Sequence, residues 1–145
     1  MVFVILFNKM EKMSSSFKYI LTVVVLTLSM QYGMAQARVF DNVRLAIKSG
    51  NTKSLALYMS DFVSLKVESS EGVYGKKQAT FVLDKFFTKH PCNDFKYVHI
   101  GASPGGSKYC IGDYYSSTGK TYRVFIYYRL EDGNYLIDKI SFDLE

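Results

Sequence analysis

The chain has no tryptophan, two prolines, two cysteines and two histidines in 145 residues, and only 21% of its residues are charged. Each shortage closes off a class. Two cysteines are too few for the disulfide framework of a small secreted scaffold. The two histidines, His90 and His99, lie nine positions apart without any H-x-x-x-H or C-x-x-C spacing, so no zinc-ligand pattern exists, and no cofactor is called for. Low charge beside 48% apolar and 16% aromatic residues is incompatible with intrinsic disorder. The glycine-rich stretch Ser103-Pro104-Gly105-Gly106-Ser107-Lys108 sits between two strand-like runs and not at a helix start, so it reads as a hairpin turn and not as a phosphate loop.

What is present begins with a leader. Lys9, Lys12 and Lys18 precede an uncharged run of 12 residues from Tyr19 to Met30, followed by Gly33-Met34-Ala35 and Ala35-Gln36-Ala37. A basic start, a short apolar core and small residues at the end form the layout of a secretory signal peptide over residues 1–37, cleaved after Ala35 or Ala37. The run falls short of the roughly 20 apolar residues a spanning helix needs, so the expected product is periplasmic or extracellular with no membrane anchor after cleavage. Met1, Met10 and Met13 are all available as starts. Residues 38–145 then form one domain with 15 basic and 12 acidic side chains. Only Lys76-Lys77 are adjacent cations, so no basic stripe for nucleic acid is legible.

Val39, Phe40, Val43, Ala46 and Ile47 recur with helical spacing, and Gly50 follows where a left-handed cap is wanted. Asn51 or Thr52 can cap a short second helix. From Phe62 the period becomes two, with Val63, Leu65 and Val67 on one side of a strand, and Ser69 to Gly75 supplies a turn and a second strand. A third helix over 76–89 turns Ala79, Val82, Leu83, Phe86, Phe87 and His90 to one broad face until Pro91 stops it. Four strand runs follow, 95–102, 108–117, 121–130 and 135–144, which gives the order ααββαββββ. That order is an α+β fold with helices on one face of a curved antiparallel sheet. A three-residue loop, Glu131 to Gly133, would turn Leu136, Asp138, Ile140, Phe142 and Leu144 inward. A four-residue loop, Ser103 to Gly106, would set Cys110 opposite His99.

With Gly50-Asn51, Leu55-Ala56, Tyr58, Gln78-Ala79, Phe86-Phe87 and above all Phe95-x-x-x-His99-x-Gly101, residues 38–145 resemble a secreted bacterial family called domain of unknown function 4783. That family lies within the cone-shaped nuclear transport factor 2-like superfamily. The resemblance implies the fold and an exported setting but no activity, since the superfamily holds isomerase-like and dehydratase-like enzymes beside binding and dimerisation modules.

The expected site is a pocket between the third helix and the sheet, walled by Phe86, Phe95, Tyr128 and Phe142 with His99 and Asp138 as its polar groups. For each of those two the plainer alternative is structural: a histidine satisfied within the sheet, and a carboxylate at the mouth of the cone or bonded to a tyrosine. A Cys110/His99 nucleophile pair would have no third orienting group, and a strand-centre cysteine is ordinarily a small buried hydrophobe. No residue is assigned as catalytic. Phe125, Tyr127 and Tyr135 are expected to form an outer patch for a homodimer. The expected function is a non-catalytic exported module binding a small apolar molecule or a protein, with a cone-pocket isomerase, hydratase or cyclase as the alternative.

Overall fold

The first domain helix ends where a residue without Cβ is needed, at Gly50 with φ 64°. In this computed structural model, which describes residues 14–145, helix α1 spans Ser15–Ser49. Contacts divide the chain after Ala37 into two compact units. In the first, the described apolar side chains from Phe17 to Leu26 are exposed. Among the described residues no helix is long and apolar enough to cross a membrane. The available starts Met1, Met10 and Met13 lie outside the described residues.

In the second unit α1 buries Phe40, Val43, Ala46 and Ile47. The Ser54 amide donates to the Asn51 side-chain oxygen at 3.0 Å, which caps helix α2, Thr52–Ala56. Strand β1, Met59–Val67, and strand β2, Ser70–Gly75, form a hairpin. Helix α3, Lys76–Lys89, buries Ala79, Leu83, Phe86 and Phe87. Strands β3 (Cys92–Ala102), β4 (Lys108–Ser116), β5 (Thr121–Glu131) and β6 (Asn134–Leu144) complete one sheet in the order β2-β1-β6-β5-β4-β3. The α+β class and the element order are those expected. The sheet is mixed, however, because β1 pairs with β6 in parallel.

Two bulges decide which side chains face the helices. Between β3 and β4, Tyr97 pairs with Gly112 and His99 with Ile111, so Val98 is the extra residue. Between β5 and β6, Tyr127 pairs with Lys139 and Tyr128 with Ile137, so Asp138 is the extra residue. Each bulge switches the face on which the following side chains emerge. The β5–β6 turn has two residues, Asp132 and Gly133, both at positive φ (49° and 77°), which is the backbone of a type I′ hairpin. That turn sends Tyr135 and Ile137 inward and leaves Leu136, expected inward, only half-buried on the other side. The Asp138 bulge then sends Ile140 and Phe142 inward, while Leu144, also expected inward, is exposed at the end of the strand.

Candidate functional site

The space between α3 and the sheet is filled by aromatic side chains. Phe86 packs against Phe142 with ring centroids 4.8 Å apart and edge-on against Tyr122 at 5.0 Å, while Tyr114 meets Phe142 at 5.6 Å. Phe95, Tyr114 and Tyr128 are completely buried and Phe142 is 2% exposed. The expected walls Phe86, Phe95, Tyr128 and Phe142 therefore all belong to one core, each contributing about 2–3 kcal/mol of apolar burial. Deeper in, the Tyr97 hydroxyl donates to the Phe40 carbonyl at 3.0 Å and lies 3.4 Å from the Tyr128 hydroxyl. Burial raises the pKa of both phenols and pushes the Cys110 thiol up to about 12.

The two polar groups expected in that space are elsewhere. His99 is exposed on the opposite, outer face of the sheet, where its Nε2 lies 3.1 Å from the Tyr109 hydroxyl. The Val98 bulge put it there. Asp138, at the second bulge, is half-buried on the outer side and pairs with Arg129 at 3.4 Å. Cys110 faces Ile100 and not His99, because the β3–β4 loop runs from Ser103 to Ser107, one residue longer than expected. The thiol and the imidazole are thus on opposite faces. Both cysteines are free.

The outer face carries an aromatic centre. Tyr109 stacks on Phe125 with centroids 6.1 Å apart and planes 23° from parallel, and Tyr127 pairs with Tyr109 across β4 and β5. Phe125 and Tyr127 are half-buried as lone-domain residues. Tyr135 does not join them: it is 5% exposed, its hydroxyl donates to the Gly106 carbonyl at 3.0 Å, and its ring lies 5.8 Å from Phe40. The short type I′ turn, one residue less than expected, turns it inward. Ion pairs frame the patch, with Arg123 bound to Asp113 at 2.8 Å and to Glu145 at 2.6 Å, and Lys66 bound to Asp143 at 2.6 Å.

A polar cluster at the C-terminal end of α3 was not legible as such in the sequence. His90 is 3% exposed. Its Nε2 lies 2.8 Å from the Glu68 carboxylate and its Nδ1 3.3 Å from the Thr118 hydroxyl, which in turn is 2.8 Å from the Ser116 hydroxyl. A carboxylate only accepts, so Nε2 bears the proton and donates to Glu68. Lys89 donates to both Glu68 oxygens at 3.1 Å. These bonds, that from His90 first, hold the Glu68 carboxyl below its ordinary value. Glu68 and Thr118 stand 22 and 28 positions from His90 in the chain, and only the helix motif around His90 was visible locally. The cluster ties the β1–β2 and β4–β5 turns to the end of α3. Among the described residues no group of three or more His, Cys, Asp or Glu side chains is placed to hold a metal ion.

Comparisons with known proteins agree with this architecture. A model of the family named domain of unknown function (DUF4783) matches residues 40–143. A DUF4783 family protein from Bacteroides ovatus is 30% identical, with 72% of this chain and 93% of that one covered at a TM-score of 0.67. A family protein from Bacteroides uniformis is 27% identical, with 72% and 95% covered and the same TM-score of 0.67. An NTF2-like protein of unknown function from Shewanella baltica is 16% identical, with 80% and 95% covered at a TM-score of 0.58, a likeness of fold. No curated protein matches the chain. On the family match across most of its length, and with a nuclear transport factor 2-like fold, the chain belongs to the DUF4783 family.

Proposed function

We propose that the mature protein, exported after removal of residues 1–37, is a non-catalytic binding module that works through the outer face of its sheet, with a second copy of itself as the partner. One observation supports this reading above the others: the aromatic residues of the cone are packed as core, while Tyr109, Ile111, Phe125 and Tyr127 form an apolar centre on the outer face. An apolar centre with a charged rim is the anatomy of a protein interface. The rim is already neutralised within the face by the Arg123–Asp113, Arg123–Glu145 and Lys66–Asp143 pairs, so an identical face meets little repulsion.

A small apolar ligand in the cone, the other partner expected from the sequence, would have to displace Phe86, Tyr122 or Phe142. An isomerase, hydratase or cyclase would need the same space, with His99 and Asp138 turned away from it. Sedimentation equilibrium and native mass spectrometry of the mature protein test the proposal together. A dimer that Tyr127→Lys and Phe125→Lys convert to monomer is the expected result. A wild type that stays monomeric at high concentration, or one that carries a small molecule into the gas phase, overturns it.

A further inference from the structure

We infer that a trough centred on Leu57 docks an extended polypeptide segment in which apolar residues alternate with basic ones. Leu57, Val73 and Phe62 are 76%, 73% and 70% exposed, and in residues 38–145 no other large apolar side chain is as exposed. All three line one cavity of about 540 Å³ together with Leu136, and an adjoining cavity of about 340 Å³ shares Leu57 and Leu136 with it. Singly exposed apolar residues need no explanation, whereas a contiguous group of them marks a binding surface.

The charge around this surface selects the occupant. Asp61, Glu131 and Asp138 line the larger cavity and Asp132 the adjoining one. Only two cations, Lys76 and Arg129, stand among them. Lys76 is bound to Asp61 at 3.4 Å, and Arg129 to Glu131 at 3.3 Å and to Asp138 at 3.4 Å. The trough thus keeps a surplus of carboxylate on a domain with 15 basic and 12 acidic side chains, and a complementary partner is basic.

Its shape favours an extended chain over a compact molecule. Side chains some 70% exposed make a shallow floor, and Val73 belongs to β2, an edge strand of the sheet. A segment crossing Val73 finds unpaired backbone beside it. Alternate side chains of that segment would enter the apolar floor while those between reach the carboxylates, as the period of a strand requires.

The test is fluorescence anisotropy of a fluorescein-labelled peptide of alternating lysine and leucine, titrated with the mature protein, beside a peptide of alternating glutamate and leucine. The lysine peptide should bind, and the glutamate peptide should not. Leu57→Ser, at a site that contributes little to the core, should weaken binding by about tenfold or more. Asp138→Asn should weaken it less and flatten its salt dependence. Phe125→Lys, on the aromatic patch, should leave peptide binding unchanged, so the trough and the proposed self-association fail or survive separately. No binding of the lysine peptide, equal binding of the two peptides, insensitivity to Leu57→Ser, or loss of binding in Phe125→Lys would each overturn the assignment.

Discussion

The ring of Tyr109 lies across Gly101, so close that a methyl group on that glycine would stand 2.4 Å from it. The same arrangement recurs on the other face of the same strand pair, where Phe95 covers Gly112 and a methyl group would stand 2.7 Å from its ring and 2.8 Å from the Lys96 carbonyl. The two glycines answer differently to substitution. Tyr109 is on the outer face and its tip can swing into solvent, giving up its bond to His99. Phe95 is completely buried and the Lys96 backbone cannot move aside. Gly112→Ala should therefore cost about 3 kcal/mol, against about 1 kcal/mol or less for Gly101→Ala, by the cost of overpacking a dense core. Urea denaturation of both variants measures this, and equal costs would contradict the different settings of the two rings.

The Glu68–His90 contact makes a pH-dependent prediction whose direction is fixed. A carboxyl whose folded pKa is depressed adds stability above its unfolded value, and that stability is lost as pH falls through the folded one. Glu68 is such a group, held low by His90 first and Lys89 second, from an ordinary value of 4.5. Glu68→Gln should cost about 1 kcal/mol near neutral pH, a charged hydrogen bond discounted for partial exposure. The gap between wild type and variant should close below pH 4.5. Thermal melts across that range decide it, and a gap independent of pH would show that Glu68 acts by packing alone.

Element order and most inward side chains were legible because they rest on local periodicity: Val63, Leu65 and Val67 in β1, and Ala79, Leu83, Phe86 and Phe87 in α3, are all buried. His99 was misplaced by the Val98 bulge. Asp138 was misplaced by the two-residue turn, which sends Ile137 inward and so Asp138 outward, before the bulge at Asp138 returns Ile140 and Phe142 to the core. A bulge adds a residue without a compositional mark, since Val98 and Asp138 are ordinary strand-face residues in the sequence. The expected loop length was off at both hairpins, by one residue too few at Ser103–Ser107 and one too many at Asp132-Gly133. The patch lost Tyr135 to the shorter turn and kept Phe125 and Tyr127, because β5 carries no extra residue and alternates without interruption. The Glu68–His90–Thr118 cluster joins three segments distant in sequence, and no local pattern announces such a meeting.

The cysteines should be chemically quiet in the native state. Burial is the main cause that raises the Cys92 thiol to about 11 and the Cys110 thiol to about 12, so little thiolate is present near neutrality, with Cys110 buried and Cys92 half-buried. Cys92 pairs across the sheet with Ser116 and Cys110 with Ile100, toward opposite ends of β3. Thiol titration should find two groups after denaturation without reductant, and slow reaction before it. Two groups reacting at once in the native protein would show that the sheet opens readily at β3.

Phe142 tests whether the cone is core or latent pocket. Its ring contacts Phe86, Phe87 and Tyr114 at 4.8, 5.8 and 5.6 Å and is 2% exposed, so truncation removes packing on three sides at once. Phe142→Ala should cost about 3–5 kcal/mol, the transfer term plus the cavity left behind. The void would be lined by Phe86, Phe87 and Tyr114, and an apolar void of this kind stays dry and takes up a small aromatic molecule. Benzene should then raise the melting temperature of Phe142→Ala and leave the wild type unmoved. A wild type that benzene stabilises as strongly would mean that the aromatic cluster opens on its own, and the cone would return as the place to look for a ligand.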